Sequence, residues 1–173
     1  MAIEIERKFL LRNDDWRPHI ERSERIAQGY LVGAQALHSG AARASVRARI
    51  SGEQAWLNIK AATPGIARAE FDYPIPPADA QALLATLCDG VMEKLRHHVR
   101  VDGMLFEIDE FLGDNVGLTV AEIELPAVDA PFPRPSWLGV EVSALGRYYN
   151  VHLIDRPYRA WSPAERAAGD AAC

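Results

Sequence analysis

Like-charged side chains recur two positions apart along this chain, and the residues between them are mostly apolar. The pairs are Glu4/Glu6, Glu70/Asp72, Glu107/Asp109, Glu122/Glu124, Arg47/Arg49 and Lys94/Arg96. Side chains two positions apart on a β-strand point to the same side, so each pair shares one face of its strand. The apolar residues then form the opposite face. The pattern therefore predicts a set of strands with one charged and one apolar face.

Two kinds of sheet could carry this pattern. In an ordinary half-exposed sheet, the apolar faces pack on the core and the charges lie in water. In a barrel with the opposite orientation, the charges line the lumen and the apolar faces pack under helices and loops. A solvated face gains nothing from repeated like-charged pairs, which repel one another more strongly once they are confined. An inward charged face needs neutralisation by opposite strands, divalent cations and a bound polyanion. The residues alone leave both arrangements open.

Strand and turn signals divide most of the chain into short strands that are joined mainly by hairpins. The predicted strands cover residues 2–11, 25–32, 44–50, 56–60, 68–73, 91–99, 104–111, 118–125 and 139–143. Hairpin turns are predicted at Ser51–Gln54 and at Asp102–Gly103, where a glycine follows a polar residue. These elements predict an α+β fold that is mostly antiparallel β and closes as a barrel.

A few short helices are predicted to flank the strands. The clearest begins at Pro76–Asp79 and keeps a helical apolar rhythm as far as Cys88. Shorter helices are predicted over residues 13–20 and 147–154, and Ser162–Glu165 has the sequence of a capping box. The segment 33–42 is rich in Gly, Ser and Ala, and it is predicted to be a loop.

Length and composition are typical of an ordinary globular protein. The 173 residues fit one domain, which we take as residues 1–173, and 25% of them are charged. No apolar run approaches the ~20 residues of a membrane helix, and the two cysteines, Cys88 and Cys173, provide no disulfide framework. The net charge of −5 argues against a general nucleic-acid binder but allows an anionic small-molecule ligand. We therefore expect a soluble cytoplasmic protein with no membrane or nucleic-acid partner.

The first predicted strand carries an unusual polar face. Glu4, Glu6 and Lys8 share that face, whereas Arg7 points to the other side. Two carboxylates about 6–7 Å apart, with a cation one step further on, could hold a divalent metal or a metal-bound phosphate. A solvated surface strand would show the same pattern, so this strand by itself leaves both alternatives open.

An ordered series of short motifs runs along the chain and begins with Glu4-x-Glu6-x-Lys8. The later motifs are Gln28–Leu31, Val46–Arg49, Ile59–Lys60, Glu70–Tyr73, Glu93–Arg96, Ile108–Phe111, Gly117–Leu118, Ala121–Leu125, Trp137–Val142 and Arg147–Asn150. The series resembles the CYTH domain family, also called the triphosphate tunnel metalloenzymes, whose signature is ExExK. The similarity covers almost the whole chain. It departs from the family at Ser143–Gly146, where the family usually has Thr followed by an acidic residue.

The resemblance implies an eight-stranded antiparallel barrel whose lumen binds a triphosphate with Mg²⁺ or Mn²⁺. Both metals favour hard carboxylate oxygens. The implied metal ligands are Glu4, Glu6, Glu122 and Glu124, with Glu70, Asp72, Glu107, Asp109 and Glu141 as further ligands or as groups that orient the cations. The implied phosphate-binding residues are Lys8, Arg47, Arg49, Lys60, Lys94, Arg96 and Arg147.

Two residues are candidates for a direct part in the chemistry. Tyr30 resembles the family position proposed as a proton acceptor, although a packing role on its strand is equally consistent with the sequence. Lys8 would stabilise the charge that develops on the terminal phosphate. The implied reaction is metal-dependent hydrolysis of inorganic triphosphate to pyrophosphate and phosphate.

Other functions remain open at this stage. Class IV adenylyl cyclases and thiamine triphosphatases belong to the same family, and a non-catalytic polyphosphate or nucleotide sensor could use the same lumen. A charged lumen with few aromatic residues for base stacking favours a bare polyphosphate, and the dense carboxylates favour an enzyme over a sensor. A small-molecule triphosphate is thus the expected partner, and a homodimer is left open.

Overall fold

The computed structural model describes residues 2–63 and 65–167, which form nine strands and several short helices. The strands are β1 (Ala2–Leu11), β2 (Ile20–Val32), β3 (Ala44–Ser51), β4 (Gln54–Ala61), β5 (Ala67–Pro74), β6 (Val91–Val101), β7 (Met104–Phe111), β8 (Thr119–Glu124) and β9 (Leu138–Glu141). The α-helices are α1 (Ala34–His38), α2 (Pro77–Thr86), α3 (Asn150–Asp155) and α4 (Pro163–Ala167). Single turns of 3₁₀-helix lie at Arg17–His19, Gly113–Asn115, Gly146–Tyr148 and Tyr158–Ala160.

Eight of the strands close into an antiparallel barrel in the order β1-β5-β4-β3-β2-β6-β7-β8, and β8 returns to β1. One edge of β1 pairs with β8, where Lys8 lies opposite Glu122. The other edge pairs first with β5, where Glu4 lies opposite Arg68, and then with β9. The predicted eight-stranded barrel is therefore confirmed, with β9 as an additional strand beside β1.

The predicted hairpin turns are confirmed at both sites. Asp102 and Gly103 both have positive φ, of 49° and 82°, which is the backbone of a type I′ turn. The turn joins β6 to β7 in the register Val101 opposite Met104. At the β3–β4 hairpin, Gly52 has a φ of 57° between the paired residues Ser51 and Gln54.

The outward apolar faces of most strands are covered by the rest of the chain, whereas that of β5 is exposed at its C-terminal half. One cluster packs Phe9 and Phe106 of the barrel against Trp137, whose ring meets Phe106 edge-on at 5.2 Å. A second cluster packs Phe111 of β7 with Trp161. Phe111 shares the strand face of Asp109, and its ring centre lies 5.6 Å from Lys94 Nζ, so this cluster lies on the lumen side of the sheet. The first cluster therefore lies outside the sheet, whereas the second fills part of the lumen, and the charged side chains line the rest of it.

Some local predictions were wrong. The segment 33–42 contains α1, whose Ala34 is buried, so its small residues form a short helix and not only a loop. Strand β2 begins at Ile20, five positions before the predicted start at Arg25, because its polar first half pairs with β6. The predicted helix over 147–154 is divided into a 3₁₀ turn and α3.

At the C-terminus, the predicted capping box is confirmed at the start of α4. The Ser162 backbone N–H donates to Glu165 at 2.8 Å, and the Glu165 N–H donates to the Ser162 hydroxyl at 3.2 Å. Cys173 lies outside the described residues. Across residues 2–63 and 65–167, no helix combines the length and the hydropathy that crossing a bilayer requires.

Candidate functional site

The lumen of the barrel encloses a cavity of about 200 Å³ that is lined mostly by charged side chains. Seven cations line it: Lys8, Arg47, Arg49, Lys60, Arg68, Lys94 and Arg96. Seven carboxylates also line it: Glu4, Glu6, Glu70, Asp72, Glu107, Glu122 and Glu124. These residues come from seven of the eight barrel strands, because each strand turns its charged face inward; the eighth, β2, adds uncharged polar groups instead.

A chain of ion pairs connects β6, β7, β8 and β1 on one side of the lumen. Asp109 accepts hydrogen bonds from Lys94 and from Arg96, the latter at 2.7 Å from Nε. Arg96 Nη2 also donates to Glu122 at 2.6 Å, and Glu122 in turn pairs with Lys8. Burial by itself would raise the pKa of Glu122, but Lys8, Lys94 and Arg96 hold it well below its ordinary value. Glu122 therefore stays ionised.

A second set of ion pairs joins β1, β4 and β5. Glu4 accepts hydrogen bonds from Lys60 at 2.7 Å and from Arg68 at 3.0 Å. Burial opposes ionisation of Glu4, but Lys60 and Arg68 lower its pKa to about 2. Lys60 also pairs with Glu70 at 3.0 Å. The pKa of Glu70 is raised to about 7, mainly by burial. The nearby carboxylates Glu4 and Asp72 also raise it, whereas Lys60 lowers it.

Two arginines of β3 are left without a carboxylate. Within residues 2–63 and 65–167, Arg47 and Arg49 make no ion pair. Arg47 donates from Nε to Asn58 Oδ1 at 3.1 Å, and the Arg49 guanidinium lies 5.1 Å from the centre of the Trp56 ring. Burial and repulsion from Arg47 and Arg96 lower the pKa of Arg49. Asp72 of β5 also makes no ion pair among the described residues, and it acts on the pKa of Arg49 in the opposite direction. Strand β3 therefore carries two cations that no described carboxylate contacts directly.

The opposite side of the barrel has a carboxylate without a cation. Glu124 of β8 makes no ion pair among the described residues, and β8 lies opposite β3 in the ring of eight strands. Burial and the nearby Glu4, Glu107 and Glu6 raise its pKa. The lumen is thus polarised, with unpaired cations on β3 facing a carboxylate on β8.

Three predicted site residues do not line the cavity. Arg147 lies outside the barrel, with its guanidinium 5.1 Å from the ring of Tyr148 and 5.4 Å from that of Trp161. Its predicted place around the phosphate is corrected, because the 3₁₀ turn at Gly146–Tyr148 directs it away from the lumen.

The other two are carboxylates. Asp109 is fully buried and is occupied by Lys94 and Arg96, so it supports two lumen cations from behind. Glu141 lies on β9, outside the barrel, and pairs with Arg7 at 2.9 Å. The predicted outward direction of Arg7 is confirmed by that contact.

Sequence reasoning missed several lumen residues. Arg68 pairs with Glu4 and Glu6, and its signal was available, since it shares the strand face of Glu70 and Asp72. Gln28 and Tyr149 also line the cavity, together with the predicted Tyr30. Tyr149 lies beneath two cations, with its ring centre 5.6 Å from Lys8 Nζ and 5.4 Å from the Arg68 guanidinium.

Comparison with known proteins identifies the family. The CYTH domain matches residues 2–153, which is most of the chain. The chain belongs to the CYTH domain family. It is 38% identical over 160 residues to an inorganic triphosphatase of Acetivibrio thermocellus, a match that covers 92% of this chain and 97% of that protein. It is 31% identical over 154 residues to an inorganic triphosphatase of Nitrosomonas europaea, which covers 87% and 95% of the two chains.

A solved structure supports the same relationship. The crystal structure of an inorganic triphosphatase superposes on this chain with a TM-score of 0.62 at 30% identity, and it covers 89% of this chain and 95% of that one. The two chains therefore share the barrel fold. Membership of this family implies a divalent metal.

The carboxylates of this CYTH lumen are suitable ligands for such a metal. Carboxylate oxygens are the ligands that Mg²⁺ and Mn²⁺ favour, and Glu124 is not committed to any described cation. Among the described residues, however, no three acidic, His or Cys side chains converge into a ready metal cage. Mg²⁺ commonly uses one or two carboxylates together with substrate phosphates. The geometry therefore fits a metal shared with a bound phosphate better than a metal held by the protein alone.

Proposed function

We propose that this protein hydrolyses inorganic triphosphate to pyrophosphate and phosphate, with Mg²⁺ or Mn²⁺. The observation that carries the proposal is the polarised lumen, in which Arg47 and Arg49 lie on the strand opposite that of Glu124 across a small cavity. The relatives at 38% and 31% identity are both named inorganic triphosphatases. They cover nearly the whole of both chains, so the comparison concerns the entire barrel.

The size of the cavity favours a bare polyphosphate over a whole nucleotide. At about 200 Å³, it is smaller than the pockets of roughly 300–1,000 Å³ that enclose drug-sized ligands. Its lining is dominated by charge, with Tyr30 and Tyr149 as the aromatic residues. An adenosine or thiamine group would have to lie outside this cavity.

The phosphate-binding groups on β3 suit their role. A guanidinium can bind two phosphate oxygens at once, and Arg47 and Arg49 have no carboxylate to release before they do so. Lys60, Lys94 and Arg96 line the same cavity but are held in ion pairs. We therefore assign the first contacts of the triphosphate to β3.

Lys8 has the properties of a fixed positive charge. Burial would lower the pKa of this side chain, but Glu122 and Glu6 raise it above its ordinary value. Lys8 therefore stays protonated in the lumen, where it would stabilise negative charge on the transferred phosphate. Tyr30 lies opposite Arg47 across the β2–β3 pair, and we assign to it the role of accepting a proton from the attacking water.

The proposed metal ligands are Glu4, Glu6, Glu122 and Glu124, and Glu70 is proposed as a further ligand. When bound, the metal would neutralise phosphate charge and lower the pKa of a coordinated water. Glu124 is the best single test of this assignment. Its carboxylate balances no described cation, so its removal should affect metal binding without breaking an ion pair.

The deciding experiment measures phosphate release from triphosphate, ATP, thiamine triphosphate and long polyphosphate, each with Mg²⁺ or Mn²⁺. Triphosphate should be the preferred substrate. In Glu124→Gln, the metal concentration for half-maximal activity should rise at least about tenfold while the Tm stays at or above the wild-type value. Glu53→Gln, an exposed change on the β3–β4 hairpin, is the matched control.

Two outcomes would contradict the proposal. Phosphate release from ATP but not from triphosphate would refute the substrate assignment. Tight binding of triphosphate with no turnover under either metal would show a sensor and not an enzyme. Wild-type metal dependence in Glu124→Gln would remove that residue from the ligand set.

A further inference from the structure

Gln28 is a fully buried polar side chain in the lumen with no partner in the protein. It lies on β2 with no exposed surface, and it lines the cavity. Within the described residues, neither its amide nitrogen nor its amide oxygen makes a hydrogen bond. Nearly all buried side-chain polar groups in proteins are hydrogen-bonded. An amide with both ends free therefore indicates a place where a ligand or a water binds.

The surroundings of Gln28 point to an anion. In the β2–β3 pair, Gln28 lies opposite Arg49, whose buried Nε also has no partner among the described residues. Tyr30 follows Gln28 on the same face of β2. On the β6 side, Gln28 lies opposite the apolar Met92, which offers no strong hydrogen-bonding group. The amide therefore lies next to Arg49 in the β2–β3 pair and on the same strand face as Tyr30.

The backbone keeps Gln28 in this position. Gly29, the next residue, lies against the segment that leads into β6. A Cβ at Gly29 would lie 2.8 Å from the Gly90 carbonyl oxygen and 2.9 Å from the Cys88 Cβ. Strand β2 is thus held tightly from outside the barrel, and Gln28 is held inside it.

The chemistry of an amide defines what it can bind. A carboxamide offers two N–H donors and one carbonyl acceptor. Phosphate oxygens beside Arg49 can accept from the Gln28 amide nitrogen. Ionised phosphate has few protons to give, so the carbonyl oxygen needs a different partner that carries an O–H, and water is the simplest. One side chain would then hold a phosphate oxygen and a water next to each other.

We propose that Gln28 binds the terminal phosphate of the substrate and positions the attacking water beside it. This role rests on the proposed triphosphate hydrolysis. The water oxygen forms a new bond to the terminal phosphorus, and the bond from that phosphorus to the bridging oxygen breaks. Pyrophosphate leaves with the electron pair of the broken bond. One proton of the water stays on the new phosphate, and the other passes to Tyr30 and from there to solvent.

The test compares Gln28→Met with Gln81→Met, the same replacement at an exposed position on α2. Methionine fills a similar volume without hydrogen-bonding groups. Gln28→Met should lower kcat for triphosphate on the order of 100-fold, because the water loses its orientation. Without ligand, the variant should melt about 3 °C higher than wild type, because a buried amide without partners is removed. Gln81→Met should match wild type in both respects.

A binding measurement separates this proposal from the proposed function. By calorimetry in EDTA, Gln28→Met should bind triphosphate about tenfold more weakly, because a hydrogen bond to a charged group is lost. If wild type does not hydrolyse triphosphate, the proposed function is refuted. The Gln28 contact is then tested by binding alone, and equal triphosphate affinity of wild type and Gln28→Met would refute it as well. If wild type is active, a kcat within twofold of it in Gln28→Met overturns the role of Gln28. A lower Tm with unchanged kcat would show a packing residue only.

Discussion

Replacement of Asp109 by asparagine should destabilise the protein strongly, because this carboxylate neutralises two buried cations. Asp109 is fully buried on β7, and it accepts hydrogen bonds from Lys94 Nζ and from Nε and Nη2 of Arg96. The two cations are only 2% and 9% exposed. An asparagine keeps the shape and one acceptor, but it removes the negative charge that lies between them.

The size of the effect follows from the burial of the cations. Loss of one partner of a buried ion pair typically costs about 3–5 kcal/mol, since the remaining charge stays uncompensated. For a chain of this length, that loss corresponds to a Tm lower by roughly 10 °C. Urea unfolding at neutral pH in EDTA measures the free energy of unfolding directly. Asp14→Asn is the control, because Asp14 is 76% exposed in its pair with Arg17 and should matter by less than about 0.5 kcal/mol.

The response to ligand distinguishes a supporting Asp109 from a metal-binding one. In Asp109→Asn, Lys94 and Arg96 lose a competing carboxylate, so metal-free triphosphate should raise the Tm of the variant by more than it raises that of wild type. A metal-binding Asp109 would instead leave stability in EDTA unchanged and raise the metal requirement for turnover. A destabilisation below about 1 kcal/mol in EDTA would refute the reasoning from buried charge.

Two further predictions follow from the lumen. Arg147→Met should keep kcat/KM for triphosphate within about twofold of wild type, whereas Arg47→Met should lower it at least about tenfold, and equal losses would contradict the outward position of Arg147. The urea midpoint in EDTA should be highest near about pH 5 and fall on both sides. Because the pKa of Glu4 drops from 4.5 to about 2, its stabilisation is present above pH 4.5 and is lost as the pH falls toward 2. Because the pKa of Glu70 rises to about 7, its contribution is present below pH 4.5 and is lost as the pH rises through 7. A midpoint that rose steadily to pH 8 would contradict both assignments.

Most of the barrel could be predicted because a strand has a fixed period of two residues. Glu6 and Lys8 must share a face, and Ile5 and Phe9 must share the other, whatever the strand packs against. The pattern could not decide which face points inward. That depends on what covers the apolar side, and here Trp137 and its neighbours bury Phe9 from outside the barrel.

Prediction failed where the chain leaves the sheet. Arg147 belongs to a 3₁₀ turn with three residues per turn, so alternation along a strand says nothing about its direction. Tyr149, two positions later, enters the lumen instead. The position of a side chain along the barrel axis could not be predicted either. Glu107 and Asp109 share one face of β7, but only Glu107 lines the cavity. That difference depends on the stagger between neighbouring strands, which no local pattern encodes.

The charge balance of the lumen explains why a polyphosphate should enter together with cations. Seven cations and seven carboxylates line the cavity, and within the described residues most of them neutralise one another. A bare triphosphate would bring about four to five negative charges into this closed space, and Arg47 and Arg49 could offset only two of them. Uncompensated buried charge is costly, so triphosphate should bind more weakly in EDTA than with divalent metal, which offsets the remaining charge. Glu124, the carboxylate without a described partner, is the group free to share that metal. The metal requirement thus follows from the balance of the whole lumen more than from any single ligand.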